Sequence, residues 1–147
     1  MALGSARRPD AASEALLRDA RTAHLATSGR DSRPHVVPIC YVWRDGVLYT
    51  PLDRKPKRST DPRRLRRVRN IAENPRVAVV IDRYEEDWDR LAYVLVEGTA
   101  SVLESGSEYR AAAEALVEKY PQYEALSLAG RPIIRVVAER VAAWTSR

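Results

Sequence analysis

The sequence predicts a mainly β fold, an antiparallel barrel of six strands with short helices at its ends. Three observations predict it. Short β-prone runs follow one another through turn signals, and Asp45-Gly46 between the runs 34–44 and 47–50 is a strong hairpin signal. Gly98 sits in the middle of a long alternating strand at 91–103, where a bend of the barrel type is expected. Pro38 within 34–44 demotes that run to an edge strand or marks a bulge, because proline donates no ladder hydrogen bond.

Taken in order, residues 1–9 are expected to be a flexible leader and 10–147 a single domain. Asp10 or Ser13 can cap a helix running to about residue 21, with Leu16, Leu17 and Ala20 on its apolar side. Residues 22–28 read as a strand ending at the Ser28-Gly29 turn. The 34–44 and 47–50 strands form the hairpin, and Thr50-Pro51 breaks the pattern. Asp61-Pro62 is a good helix start, Leu65, Val68 and Ile71 recur at helical spacing, and Asn74-Pro75 stops the helix. Residues 77–82 are a buried strand and 83–90 a polar loop holding one tryptophan. In the 91–103 strand, Val94, Val96, Gly98, Ala100 and Val102 share one face, and Tyr93, Leu95, Glu97 and Thr99 share the other. Ser107 caps a helix to Tyr120, stopped by Pro121 and followed by a further turn; residues 133–144 are the last strand.

Composition narrows the class. With 45% hydrophobic and 31% charged residues the chain is an ordinary globular one. No apolar run approaches the roughly 20 residues needed to cross a bilayer, and the start MALGSARRPD lacks a signal-peptide core, so a cytoplasmic protein is expected. Cys40 is the only cysteine, which excludes an internal disulfide. It reads as a small core residue and not as a nucleophile, since no histidine falls near it in a recognisable pattern. Two histidines and one cysteine without ligand spacing argue against a metal site.

Charge is concentrated in one place. Arg54, Lys55, Lys57, Arg58, Arg63, Arg64, Arg66, Arg67 and Arg69 face a single acid, Asp61, in the same stretch, although the net charge is only +5. That density asks for an anionic partner. Nucleic acid would suffice electrostatically, but no aromatics interleave the charges and no nucleic-acid-binding motif appears, so it ranks as a distant alternative.

The run VLYTPLDRKPK (47–57), followed by L-x-x-V-R-N-I-A-E-N-P-R-V-A-V-V (65–80), resembles the signature of the pyridoxamine 5′-phosphate oxidase-like split β-barrel proteins. The order of elements matches from about residue 10 to 144. The stretch DRYEEDWDRLAYVLVEGTA (82–100) is similar to the branch that uses the deazaflavin coenzyme F420. The resemblance implies a six-stranded split barrel of the FMN-binding type, paired as a homodimer with the cofactor site at the interface. It implies an oxidoreductase passing a hydride between coenzyme F420 and a small unsaturated substrate. An FMN-binding oxidoreductase is the alternative, and a non-enzymatic anion- or nucleic-acid-binding module a distant one. The sequence departs from the flavin pattern. Those members carry Ser-Arg-Lys at the phosphate loop and an Arg and a Lys on the strand before it. Here the loop is Asp53-Arg54-Lys55-Pro56-Lys57 and the strand holds Val36, Pro38 and Cys40, which favours the deazaflavin.

Within that resemblance Lys55 and Lys57 are the candidate phosphate ligands; Pro56 between them narrows the loop's freedom. Arg63 and Arg64, at the start of the expected helix, oppose the helix dipole, a placement that favours a bound anion. Thr50 can donate its hydroxyl to the same phosphate, and Pro38, Ile39 and Cys40 can present backbone groups to the ring. Trp88 is either a lid on its own subunit or, as the resemblance implies, a residue packed near the cofactor of the partner subunit. His24 and His35, both in strands, are read first as structural, with contact to the cofactor as the alternative for His35.

Overall fold

The structure is a computed structural model that describes residues 4–6, 8–52, 64–126, 128 and 130–146. Its centre is one antiparallel sheet of eight strands: β1 (Gly4–Ala6), β2 (Ala23–Ser28), β3 (Pro34–Ile39), β4 (Val42–Arg44), β5 (Val47–Pro51), β6 (Arg76–Arg83), β7 (Ala92–Leu103) and β8 (Ile133–Thr145). Around it lie α1 (Ala11–Asp19), α2 (Arg66–Glu73), α3 (Ser107–Lys119) and α4 (Gln122–Leu126). The strand order is β3-β2-β6-β7-β8-β5-β4, with β1 paired to β8.

That order forces the sheet to roll up. β3 is one edge of the path and β4 the other, yet only Cys40 and Tyr41 join them. A flat sheet of seven strands would hold its edges about 29 Å apart at the usual strand spacing. Three residue steps span at most about 11 Å. The two edges therefore meet at the Cys40-Tyr41 corner, and the sheet is a barrel split along β3 and β4.

The expected six strands become eight for two reasons. The single strand expected at 34–44 divides at the corner into β3 and β4, which sit on opposite edges of the sheet. Gly4–Ala6, expected in a flexible leader, lies against Val141, Ala142 and Ala143 of β8. β5 covers only Ile133–Val137 of β8, so the rest of that edge offers open hydrogen-bonding groups, which β1 takes up. Pro38 is on an edge strand, as its missing N–H requires.

The helix ends follow partly from local chemistry. Asp10 caps α1, its Oδ1 accepting from the Ser13 amide at 2.8 Å. Asn74 ends α2, donating its amide to Asn70 at 2.7 Å. The start expected at Asp61-Pro62 lies outside the described residues; α2 as described begins at Arg66, with Leu65 at the N-cap and no side-chain cap. At α3 the cap position is Gly106, not Ser107: the chain turns in with φ of 100°, a conformation glycine adopts without strain.

The barrel interior is filled by Leu17, Leu25, Tyr41, Leu48, Val79, Ile81, Val94, Val96, Ile134 and Val136. The face assignment of β7 holds: Val94, Val96 and Ala100 are in this core, and Glu97 and Thr99 point to solvent. A second, smaller core forms where α3 and α4 cover β4 and β5, around Tyr49, Leu116, Tyr120, Tyr123 and Ile133.

Between the two cores, Lys119 places Nζ 4.0 Å from the centre of the Tyr41 ring, where it finds no hydrogen-bond partner among the described residues. Burial first, then the Arg21 guanidinium, lowers its pKa to about 8 from 10.5. Between those values the unfolded chain holds a proton that the folded chain lacks, so stability rises with pH. Burial pushes the Tyr41 phenol far above its ordinary 10.0, so above that pH the unfolded chain loses a proton the native state keeps, and stability falls. Urea midpoints are thus expected to climb from about pH 8 to 10 and then drop. The climb should flatten in Lys119→Met; an identical slope in the variant would show that this amine does not titrate abnormally.

Candidate functional site

Most of the basic segment identified in the sequence falls between Leu52, which follows β5, and Arg64, which precedes α2. Leu52 is fully buried and donates its amide to the Pro132 carbonyl at 3.2 Å, which anchors the departure. Lys55, Lys57 and Arg63 lie outside the described residues. Thr50, paired with Ile134 on β8, is 1% exposed. Arg64 is exposed at the approach to α2.

α2 buries Val68 and Ile71 against the barrel, leaves Arg66 and Arg69 exposed and half-buries Arg67. What fixes its position is polar. Asn70 is buried and donates from Nδ2 to the Thr27 hydroxyl on β2 at 3.0 Å. Gly29 completes the fit, since a Cβ there would lie 2.8 Å from both Asn70 Oδ1 and Glu73 Oε2. Glu73 Oε2 in turn accepts the Arg30 amide at 3.1 Å.

The helix so docked carries no acid in its first turn and no side-chain cap. Its leading amides and its arginines therefore present positive charge together. Arg66 and Arg69 line a cleft of about 400 Å³ with Arg30, Asp31, Asn70 and Glu73. Although two carboxylates stand in that cleft, none lies within ion-pair distance of Arg64, Arg66 or Arg69 among the described residues. Asp31 instead accepts the Arg33 amide at 3.1 Å and faces its guanidinium, and Glu73 accepts the Arg30 backbone amide. Among the described residues three guanidinium groups are left without an ion-pair partner.

His35 joins this end of the site. The β2–β3 register sets it opposite Thr27, beneath the first turn of α2. Its Nδ1 is buried and finds no hydrogen-bond partner among the described residues. Burial first, then the charges of Arg66 and Arg67, holds the imidazole below its ordinary pKa of 6.5, so it is neutral at pH 7.

Pro38, Ile39 and Cys40 lie at the other end of β3, toward the barrel corner. Pro38 is exposed, Ile39 buried and Cys40 half-buried. Val42 pairs with Tyr49, so the residues just before Val42 run beside those just after Tyr49, and the register draws Cys40 toward Thr50-Pro51. His35 and Ile39 are about 13 Å apart along the strand. A molecule touching both the corner and the α2 arginines must be extended on that scale.

The cross-strand row Pro38, His24, Val80, Leu95 and Ala142 lies on the outer face of the sheet, as does Val36, which is 64% exposed. Trp88 stands on a single 3-10 turn, Trp88–Arg90, and is 68% exposed. Because Arg83 pairs with Ala92, its loop leaves the sheet at the end nearer Pro38, away from α2. Within one chain Trp88 is not a lid on the barrel core. Among the described residues no group of histidine, cysteine and carboxylate side chains is arranged to hold a metal.

A family model described as pyridoxamine 5′-phosphate oxidase matches residues 9–145. The chain belongs to this family. Solved structures of the pyridoxamine 5′-phosphate oxidase type share the fold. A conserved hypothetical protein of Mycobacterium tuberculosis superposes with a TM-score of 0.75 at 23% identity, covering 95% of this chain and 86% of the other. HutZ, the heme storage protein of Vibrio cholerae, gives 0.71 at 18% identity over 94% of each chain. A FAD-binding protein of Mesorhizobium loti gives 0.68 at 19% identity over 97% of each. At these identities the likeness is one of fold. No curated protein matches the chain. No helix among the described residues is long and apolar enough to cross a membrane.

Proposed function

We propose that this chain is an oxidoreductase that binds the deazaflavin coenzyme F420 and passes a hydride between it and a small unsaturated substrate. The observation that carries the reading is the positive surface at the start of α2: Arg64 just before the helix and Arg66 and Arg69 on it, without acid partners among the described residues, where the first turn holds no acid and no cap. A donor set of that chemistry fits a cofactor that carries phosphate. With the sequence run from Arg54 to Arg63 before it, the basic surface is longer than one phosphate needs, which favours the deazaflavin over FMN. Lys55, Lys57 and Arg63 belong to that run and Thr50 flanks it; the backbone of Pro38, Ile39 and Cys40 is the candidate platform for the ring.

Bound deazaflavin supplies the two-electron hydride chemistry itself. The chain has to bind it, orient it and keep water from it. The largely apolar outer row from Pro38 to Ala142 suits that last task if a second copy covers it, and Trp88 of the partner subunit would then wall the substrate pocket. Light scattering at micromolar concentration should accordingly return twice the 16.6 kDa mass of the chain. A monomer would remove the shared pocket from the proposal.

Fluorescence titration with coenzyme F420 and with FMN, each at two salt concentrations, tests cofactor choice. The deazaflavin should bind more tightly and with the steeper salt dependence. Tighter FMN binding would make this a flavin enzyme of the same fold, and binding of neither would overturn the oxidoreductase reading.

A further inference from the structure

We propose that His35 Nδ1 and the Arg66 guanidinium form a seat for an oxyanion under the first turn of α2, filled by a cofactor phosphate or by free phosphate. The first support is the buried Nδ1 of His35, which has no hydrogen-bond partner among the described residues. A buried polar nitrogen left unpaired is costly, and a ligand atom at that point relieves the cost. The second is Arg66, exposed at the cleft and without a carboxylate partner among the described residues.

The third support is the way the two are held together. Thr27 pairs with His35 across the β2–β3 ladder, and the Thr27 hydroxyl accepts from Asn70. Arg66 and Arg67 precede Asn70 by one helical turn, so they lie on the face that Asn70 pins to β2. One buried hydrogen bond thereby fixes the basic first turn above the imidazole.

Charge decides what kind of ligand fits. A neutral imidazole offers one N–H and one acceptor nitrogen, so by itself it is indifferent to sign. Arg66 and Arg67 beside it oppose a cation and attract an anion. The acids of the cleft are Asp31, which faces the Arg33 guanidinium, and Glu73, which accepts the Arg30 backbone amide; neither lies within ion-pair distance of Arg66 among the described residues. An oxyanion can accept from the imidazole N–H and from the guanidinium at once. The inference rests on the proposed function only where it names a cofactor as one source of the phosphate.

The chain has two histidines, so their imidazole carbon-bound protons are separable by NMR, and His24→Gln assigns them. On titration with inorganic phosphate or pyrophosphate, the His35 signal should shift saturably and its apparent pKa should rise, while His24 stays put. Arg66→Gln should weaken that binding at least tenfold with the His24 signal unchanged. A His35 signal unmoved at saturating phosphate and at saturating cofactor would overturn the seat, as would an Arg66→Gln affinity within twofold of the parent. If a bound cofactor abolishes the phosphate effect, the occupant is the cofactor's phosphate; if both bind together, the seat takes free phosphate. Should phosphate move His35 while neither coenzyme F420 nor FMN binds, the seat stands and the cofactor reading falls.

Discussion

Gly98→Ala is expected to destabilise the fold by about 3 kcal/mol or more, at the upper end of what overpacking costs. A Cβ on Gly98 would lie 2.1 Å from the Val137 carbonyl oxygen, 2.9 Å from its carbon and 3.3 Å from the Ala138 Cα. All three are backbone atoms, so no side chain can swing away to make room. The crowding has a structural cause. The β7–β8 register shifts between Glu97, paired with Arg140, and Gly98, paired with Ala138, so β8 carries an extra residue and crowds β7 there. These are the longest strands of the sheet, and their bend helps bring the β3 and β4 edges together at Cys40-Tyr41. Urea unfolding should put the variant's midpoint well below the parent's, while Ser101→Ala, exposed on the same strand, should stay within about 0.5 kcal/mol. Equal midpoints for Gly98→Ala and the parent would mean that β7 and β8 separate there at little cost.

The same glycine marks how far the sequence could be read. A glycine inside an alternating strand points to a bend on local grounds, and the bend is there. The Asp45-Gly46 hairpin, the Asp10 cap, the Asn74 stop and the inward face of β7 were legible for the same reason, each being set by neighbours within a few positions. What was not legible depended on residues far apart in the chain. No local signal at Cys40-Tyr41 says that a continuous β-prone run must break there; the break follows from where the other six strands leave the two edges. Gly4–Ala6 is a strand only because β8 overhangs β5. The site divides in the same way. The basic run is visible as composition. The Asn70–Thr27 hydrogen bond joins positions 43 apart, and that bond, with the burial of Val68 and Ile71, brings the first turn of α2 to His35, a placement no local signal gives. A polar Asn among Leu65, Val68 and Ile71 was the one available hint that α2 docks through a hydrogen bond as well as through its apolar face.

The double variant Lys55→Ala/Lys57→Ala is expected to lose measurable cofactor binding under conditions where each single variant retains some. Each ammonium group that contacts a phosphate contributes about 1.5–3 kcal/mol, the range for a hydrogen bond to a charged group, which is roughly a 10- to 150-fold loss apiece. The two lysines occupy the segment between two firm anchors: Leu52, buried and bonded to Pro132, and Val68 with Ile71, packed into the barrel core. Removing charge between such anchors should leave the unfolding midpoint within about 0.5 kcal/mol of the parent, since neither anchor is touched. The salt dependence carries the sharper information. Binding that uses lysine and arginine charges weakens as salt screens them, so the single variants should show a shallower salt slope than the parent as well as a lower affinity. If the double variant kept the parent's affinity and slope, the anion would be held by the described arginines of α2 alone, and the lysines would be solvent-facing charge. A loss of affinity with an unchanged slope would instead point to a loop whose conformation, and not its charge, had been altered, and Lys55→Arg/Lys57→Arg would separate the two by restoring charge without restoring the original side chains.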